Sequence, residues 1–454
     1  MKIKTEFLLP AMLLLSSNSH AFDWLFQPDF DAEERYTDNL RMQIKPQRDN
    51  FITTLAPSLA VGFVDKNQDL KASFKWNQLI FQGDPDLEDF AEKIADFSHV
   101  YTGERFKTEL AARYAEQSSL NTQLEQDGSG NLQLQIPRFT VSVSPTLTYN
   151  LTEKNALRLN YNFLDVSFDR QPGGLENVFS YSDYQNQQVS ITGIHAYSDT
   201  LSLNLSVAYS KYDSPTSLPD SSFVFPYCSD GSAPNGSILP CPNGNLTAVD
   251  VLTSGDFSQS ATNLTYQAGF QYIYDEQTQI AASAGLRDTE TTTEFNQTTT
   301  YNPQLIPNSS VSTTDSSSGN GFVFSANLNR NSDWGNLILN ADQQINPSSN
   351  GRQQQTTSFS ANLKYVLTER WTTGFDARYQ LTESSTNAES ENINNSRTYY
   401  TVTPNLRWNW TPEINLKLSY SYRHQQFDTR DDPSVGNNVM FQFSYQPQIN
   451  RLVK

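Results

Sequence analysis

The residue types able to do covalent or metal chemistry are few and widely spaced. Cys228 and Cys241 are the only cysteines, and they bracket SDGSAPNGSILP within one polar segment. That spacing predicts a disulfide formed in an oxidising compartment, because two thiols with no nearby His would leave a zinc ion under-coordinated. Closing a loop of this size contributes roughly 3 kcal/mol in the chain-entropy model. His99, His195 and His424 lie far apart, and none shares a local pattern with a Ser and an orienting carboxylate. The Asx-rich stretches EQDGSGN (125–131) and FDTRDDPSVGNN (427–438) lack EF-hand ligand spacing and read as solvated loops. Neither a phosphate-binding glycine loop nor a basic patch for nucleic acid is present. The chain therefore reads as a non-enzyme with no catalytic residue, metal site, cofactor or nucleic-acid partner.

One set of residues does share a position in the pattern. Arg41, Lys75, Arg113, Arg158, Arg287, Lys364, Arg378, Arg407, Lys417 and Arg423 each occupy the polar phase of an alternating stretch. Between 356 and 381, Phe359, Ala361, Leu363 and Tyr365 alternate with Ser358, Ser360, Asn362 and Lys364. After the turn at 367–370, Trp371, Phe375, Ala377, Tyr379 and Leu381 alternate with Thr372, Gly374, Asp376, Arg378 and Gln380. An extended chain with this period has one apolar and one wet face. Placing Arg or Lys on a lipid-facing surface costs about 2–4 kcal/mol at mid-membrane, so the basic residues are assigned to an interior lumen. Glu109, Asp342 and Asp376 are the acids expected beside them, which predicts a basic lumen in a chain of formal charge -18. Thr140, Ser142, Ser144, Thr146 and Thr148 would form a hydroxyl wall of the same lumen. Clustered like charges against a low-dielectric wall would favour anions.

The elements that must carry these faces are strands. Hairpins at 144–163, 194–212, 264–287, 322–342, 356–381 and 406–424 follow one plan, with short turns separated by long segments rich in Ser, Thr, Asn and Gly. Only 37% of the chain is apolar and 12% is aromatic. Its mean hydropathy is -0.57. A barrel needs apolar residues on one face only, so the composition fits an all-β, transmembrane, antiparallel outer-membrane barrel of about 18 strands, with 16 as the alternative. Short turns would be periplasmic and long loops, including 214–259 and 292–321, extracellular. Residues 1–21 read as a secretory signal ending Ser19-His20-Ala21. Residues 22–34 read as a periplasmic N-terminal segment and 35–449 as the barrel, with its first strand at 35–44 and Leu40, Met42 and Ile44 outward. The 83–97 segment fits either a strand or a helix. The location is the outer membrane of a Gram-negative bacterium, with lipid and lipopolysaccharide as surroundings.

The segments ERYTDNLRM (34–42), FITTLAPSLAV (51–61), SPTLTYNLTEKNALRLNYNF and YVLTERWTTGFDARYQL carry a resemblance. With them the chain resembles outer-membrane barrels encoded with bacterial exopolysaccharide systems, including the family associated with PEP-CTERM sorting. The resemblance implies polysaccharide export, with an anionic polysaccharide and periplasmic export components as partners. A diffusion porin for small anionic solutes and a plugged structural or adhesive surface barrel are the alternatives. The chain departs from the pattern at its end, where QPQINRLVK follows Tyr445 instead of a terminal aromatic residue.

Overall fold

The computed structural model describes residues 23–447 and 452–453, apart from 46, 125–127, 131, 133, 170–180, 229–245, 303–307 and 385–395. The expected signal at 1–21 and the expected Cys228–Cys241 bond lie outside the described residues and side chains. The chain forms β1 (Asp23–Thr37), β2 (Asn50–Val64), β3 (Gln68–Gln82), β4 (Phe90–Thr102), β5 (Phe106–Ser118) and β6 (Pro137–Asn150). There follow β7 (Asn155–Phe168), β8 (Tyr184–Ala196), β9 (Leu201–Cys228), β10 (Leu246–Ile273), β11 (Thr278–Asn302) and β12 (Ser309–Ser332). The last are β13 (Gly335–Pro347), β14 (Gln353–Val366), β15 (Trp371–Ser384), β16 (Arg397–Asn409), β17 (Ile414–Phe427) and β18 (Ser434–Tyr445). Each pairs antiparallel with the next, and β1 pairs with β18 to close an eighteen-stranded barrel. A two-residue strand, β19 (Leu452–Val453), pairs with the start of β1, so part of the tail beyond Tyr445 joins the sheet.

Closure follows from the alternation. Outward-facing Leu59, Phe74, Leu159, Ile191, Leu205, Phe270, Phe359 and Phe441 are all exposed, as a lipid-facing surface requires. Rings gather where strands meet the short turns: Trp371 stacks on Trp408 with centroids 5.6 Å apart, and Trp334 on Tyr365 at 6.0 Å. They form an aromatic girdle at one membrane boundary. Toward the other boundary the outward positions turn polar, at Glu34, Thr53, Gln78, Lys93, Glu116 and Asp165. The protein is an outer-membrane barrel with both ends of the described chain on the short-turn, periplasmic side. Leu205, in the middle of the apolar band, is 69% exposed. Leu205→Arg is expected to destabilise the barrel by about 2–4 kcal/mol, read as a lower urea midpoint in vesicle refolding.

Three sequence expectations need correction. The 22–34 segment is not a periplasmic lead-in: from Asp23 it is strand β1, and the strand expected at 35–44 stops at Thr37. Trp24, Phe26 and Phe30 already alternate outward there, while the acids between them hide the pattern. Leu40 and Met42, expected on the lipid side, are instead buried under the mouth of the barrel. Much of 214–259 and 292–321 is strand, because β9, β10, β11 and β12 run for 28, 28, 25 and 24 residues. In 292–321 the threonine-rich sequence is hydrophilic, like a loop, yet β-branched and suited to strands. The 83–97 ambiguity resolves as a loop at 83–89 followed by β4.

Candidate functional site

Near its extracellular end the lumen is crossed by the barrel's own loops. Between β5 and β6 a short helix, α1 (Ser119–Thr122), begins with Ser118 accepting a hydrogen bond from Leu120 N. Glu92 on β4 anchors this segment, accepting from Asn121 Nδ2 at 2.6 Å, Ser118 N at 3.3 Å and Asn77 Nδ2 at 2.9 Å. Leu120 and Leu132 then pack with Leu40, Met42, Ile52, Leu79 and Leu87, burying apolar surface inside the mouth rather than toward lipid. Loops from three different hairpins thus share one small core.

From that core the 119–136 segment reaches the opposite wall. Ser129 N donates to Ser349 Oγ at 3.1 Å, and Ser349 Oγ donates to Gln123 Oε1 at 2.5 Å. Arg397 Nη1 on β16 donates to Gln123 O at 3.2 Å, and Gln425 Nε2 on β17 donates to Gly130 O at 2.8 Å. Ser349 lies between β13 and β14, and β14 is the ninth strand from β5 in a ring of eighteen, so these bonds span the lumen. The 348–352 loop meets the β7–β8 connection as well, where Ser182 N donates to Ser349 O at 2.7 Å. Tyr181 donates its hydroxyl to Leu134 O at 3.2 Å and is buried, which pushes its phenol up to about 12. A second lashing holds the β1–β2 loop: Arg41 and Arg48 both grip Asp84, at 3.0 and 2.6 Å. Hydrogen bonds to Asp84 and Asp86 raise the Arg48 guanidinium above its usual range.

The basic residues assigned to the lumen fall into distinct environments. Arg41 is not on a strand at all; it belongs to the loop lashing just described. Lys75 pairs with Asp31 at 3.5 Å and Arg113 with Asp96 at 3.3 Å. The acids expected in strands omitted β1 and β4, which add Asp29, Asp31, Glu33, Glu92 and Asp96 on the inward phase. With Asp69 and Glu109 they outnumber the inward bases Arg35, Lys71, Lys75, Lys107 and Arg113, so the β1–β5 sector is net acidic, not basic. Arg287 and Arg423 are buried: Arg287 bonds Thr289 Oγ1 and Gln355 Oε1, and Arg423 bonds Asn39 O at 3.0 Å and Asn438 Oδ1 at 3.2 Å. Arg158 reaches only Thr148 Oγ1, at 3.4 Å.

Lys364, Arg378, Arg407 and Lys417 differ from all of these. They project inward from β14, β15, β16 and β17 and make no ion pair among the described residues. Arg407 sits directly opposite Lys417 in the ladder, and like charges so placed repel. The acid nearest in register, Asp376, already accepts from the amides of Asn362 and Asn405. Nine strands away, β6–β8 present Thr140, Ser142, Thr146, Asn160, Gln188 and Thr192 inward. The lumen thus carries four unpaired cations on one wall, while on the other Arg158 stands among hydroxyls and amides.

Sequence alternation placed these cations but missed the crossing segment. Leu120, Leu124, Leu132, Leu134 and Ile136 in an otherwise polar loop were its available signal, since a fully solvated loop has no use for them. Arg138 and Arg397 were missed because each lies at a strand end.

No protein-family model matches the chain, and no curated protein matches it. Among solved structures it is similar to the ferric yersiniabactin uptake receptor FyuA from Yersinia pestis, at 10% identity and a TM-score of 0.43, over 90% of this chain and 62% of that one. It is similar to the ferric-catecholate import receptor Fiu from E. coli K12 at 11% identity and 0.42, covering 95% and 82% of the two chains. OpdO of Pseudomonas aeruginosa shares 11% identity and a TM-score of 0.36, covering 94% and 97%. The chain spans less than two thirds of the FyuA chain, and what the three share with it is strand architecture.

Proposed function

We propose that this barrel is a diffusion channel for small anionic solutes, narrowed at its outer mouth by the 119–136 segment. The observation that carries the reading is the uncompensated Lys364, Arg378, Arg407 and Lys417 wall. An apposed like-charge pair with no ion-pair partner among the described residues costs stability, and attraction of a negative solute is what such a wall gains. Export of an anionic polysaccharide fits less well, because a polymer needs an opening that the crossing segment occupies. The test is the reversal potential of the purified protein in planar bilayers under a KCl gradient. Preference for chloride is expected; cation preference rejects the reading, and single-channel silence favours a plugged surface barrel.

A further inference from the structure

Strands β9–β12 leave the barrel together. The β8–β9 ladder ends at Gln185–Asp213, and the β12–β13 ladder ends at Phe324–Gln343. Above those points β9, β10, β11 and β12 pair only with one another, and at a rise of about 3.3 Å per residue they extend roughly 45 Å outward. A sheet of this kind has two edges, whose unpaired N–H and C=O groups are templates for another strand.

The two edges are treated differently. The β9 edge carries Pro215, Pro219 and Pro226, which remove ladder donors and blunt it. The β12 edge has no proline anywhere from Ser309 to Ser332. Its residues 308–318 are exposed on both phases of the alternation, and among the described residues no strand pairs with Ser309–Val323 on the side away from β11.

Charge says what fits there. Between Lys211 and Arg330, leaving out the periplasmic turn that joins β10 to β11, the sequence has nine acids, seven Asp and two Glu, and a single base, Arg287, which is buried. Asp288, Glu290 and Glu294 share one exposed face of β11. Their neighbours on β12 are Asn320, Ser318 and Thr314, all short. A strand added beyond β12 lies about 10 Å from β11, and a Lys or Arg stem on it can cross those short residues to reach the acids. A second copy of this sheet would bring like charge to like charge.

We propose that the outer half of β12 is a docking edge for an extended segment of another protein, added as a strand and carrying Lys or Arg at alternate positions. Backbone bonds supply affinity and the acidic β11 face supplies selection.

The test uses the full chain in detergent micelles and a fluorescein-labelled dodecapeptide alternating Lys with Val, read by anisotropy. Saturable binding is expected, at least about tenfold tighter than for the Glu-Val counterpart or for a peptide of the same composition with its lysines in one block. Ser312→Pro and Thr313→Pro direct their lost N–H to opposite sides, so one of them blocks the free edge without touching the β11 ladder. That variant should keep heat-modifiable mobility and lose binding about tenfold or more. Glu290→Gln with Glu294→Gln should weaken binding and flatten its salt dependence. No saturable binding, equal binding of the Glu or block peptides, or binding that survives both prolines overturns the proposal. So does concentration-dependent self-association that the prolines abolish.

Discussion

Replacing Lys364, Arg407 and Lys417 together with glutamate is expected to convert an anion-preferring pore into a cation-preferring one. All three project from β14, β16 and β17 into the same part of the lumen, and none makes an ion pair among the described residues. The triple variant changes the wall by six charges, since each site goes from +1 to -1. In a low-dielectric channel such a change moves the local potential by several kT and swings the chloride-to-potassium permeability ratio by on the order of tenfold or more. Reversal potentials under a KCl gradient measure it directly. Lys75→Glu serves as the comparison: Lys75 is held by Asp31, so its effect on selectivity should be smaller. If the triple variant and wild type share one reversal potential, these cations do not govern passage. The barrel should tolerate the change, because Arg407 and Lys417 already repel one another and a Glu pair there exchanges one like-charge pair for another.

The second large effect concerns the mouth. Gly130 has φ +73°, and a Cβ there would overlap the Arg397 guanidinium. Gly130→Val combines two penalties: a β-branched residue in left-handed backbone costs of order 1–3 kcal/mol, and the clash pushes the segment off Arg397. Arg397 is a poor anchor for a displaced segment. It is fully buried, donates to Gln123 O, and has Nη2 without a partner. A buried charge with so little compensation is retained only while its neighbour stays in place. A loss of one or two kcal/mol shifts the closed-to-open ratio by about 5–30-fold. Single-channel recording should show larger or more frequent conductance steps in Gly130→Val, with heat-modifiable mobility unchanged. Arg397→Met should behave similarly, since it removes the Gln123 link without leaving a charge behind. Unaltered conductance in both variants means the crossing segment does not limit flow.

The mouth-crossing segment at 119–136 is not a strand, so two-residue alternation carries no signal for it. Two-residue periodicity identified the strands from 356 to 381 and the inward phase of Lys364 and Arg378, because a lipid face and a wet face impose opposite demands on successive residues. It failed at β1, where Asp and Glu on the inward phase of 23–34 looked like a soluble leader. It failed again at 214–259 and 292–321, where polar Ser, Asn and Gly obscure the alternation, although the threonines of 292–302 are β-branched.

By itself, then, the sequence determined a barrel, its apolar belt and the inward direction of its cations, all consequences of contacts between a residue and its solvent. Which cations are free, and what lies across the mouth, were decided by tertiary structure alone. Lys75 is neutralised by Asp31 and Arg113 by Asp96 because neighbouring strands happen to bring them into register. Lys364, Arg407 and Lys417 are left unpaired by the same accident of register. Gln123 meets Ser349 and Arg397 across a separation of more than two hundred residues because ring closure makes β5 and β14 opposite walls. Pairing and closure are relations between distant residues, and a pattern read along one chain holds no record of them.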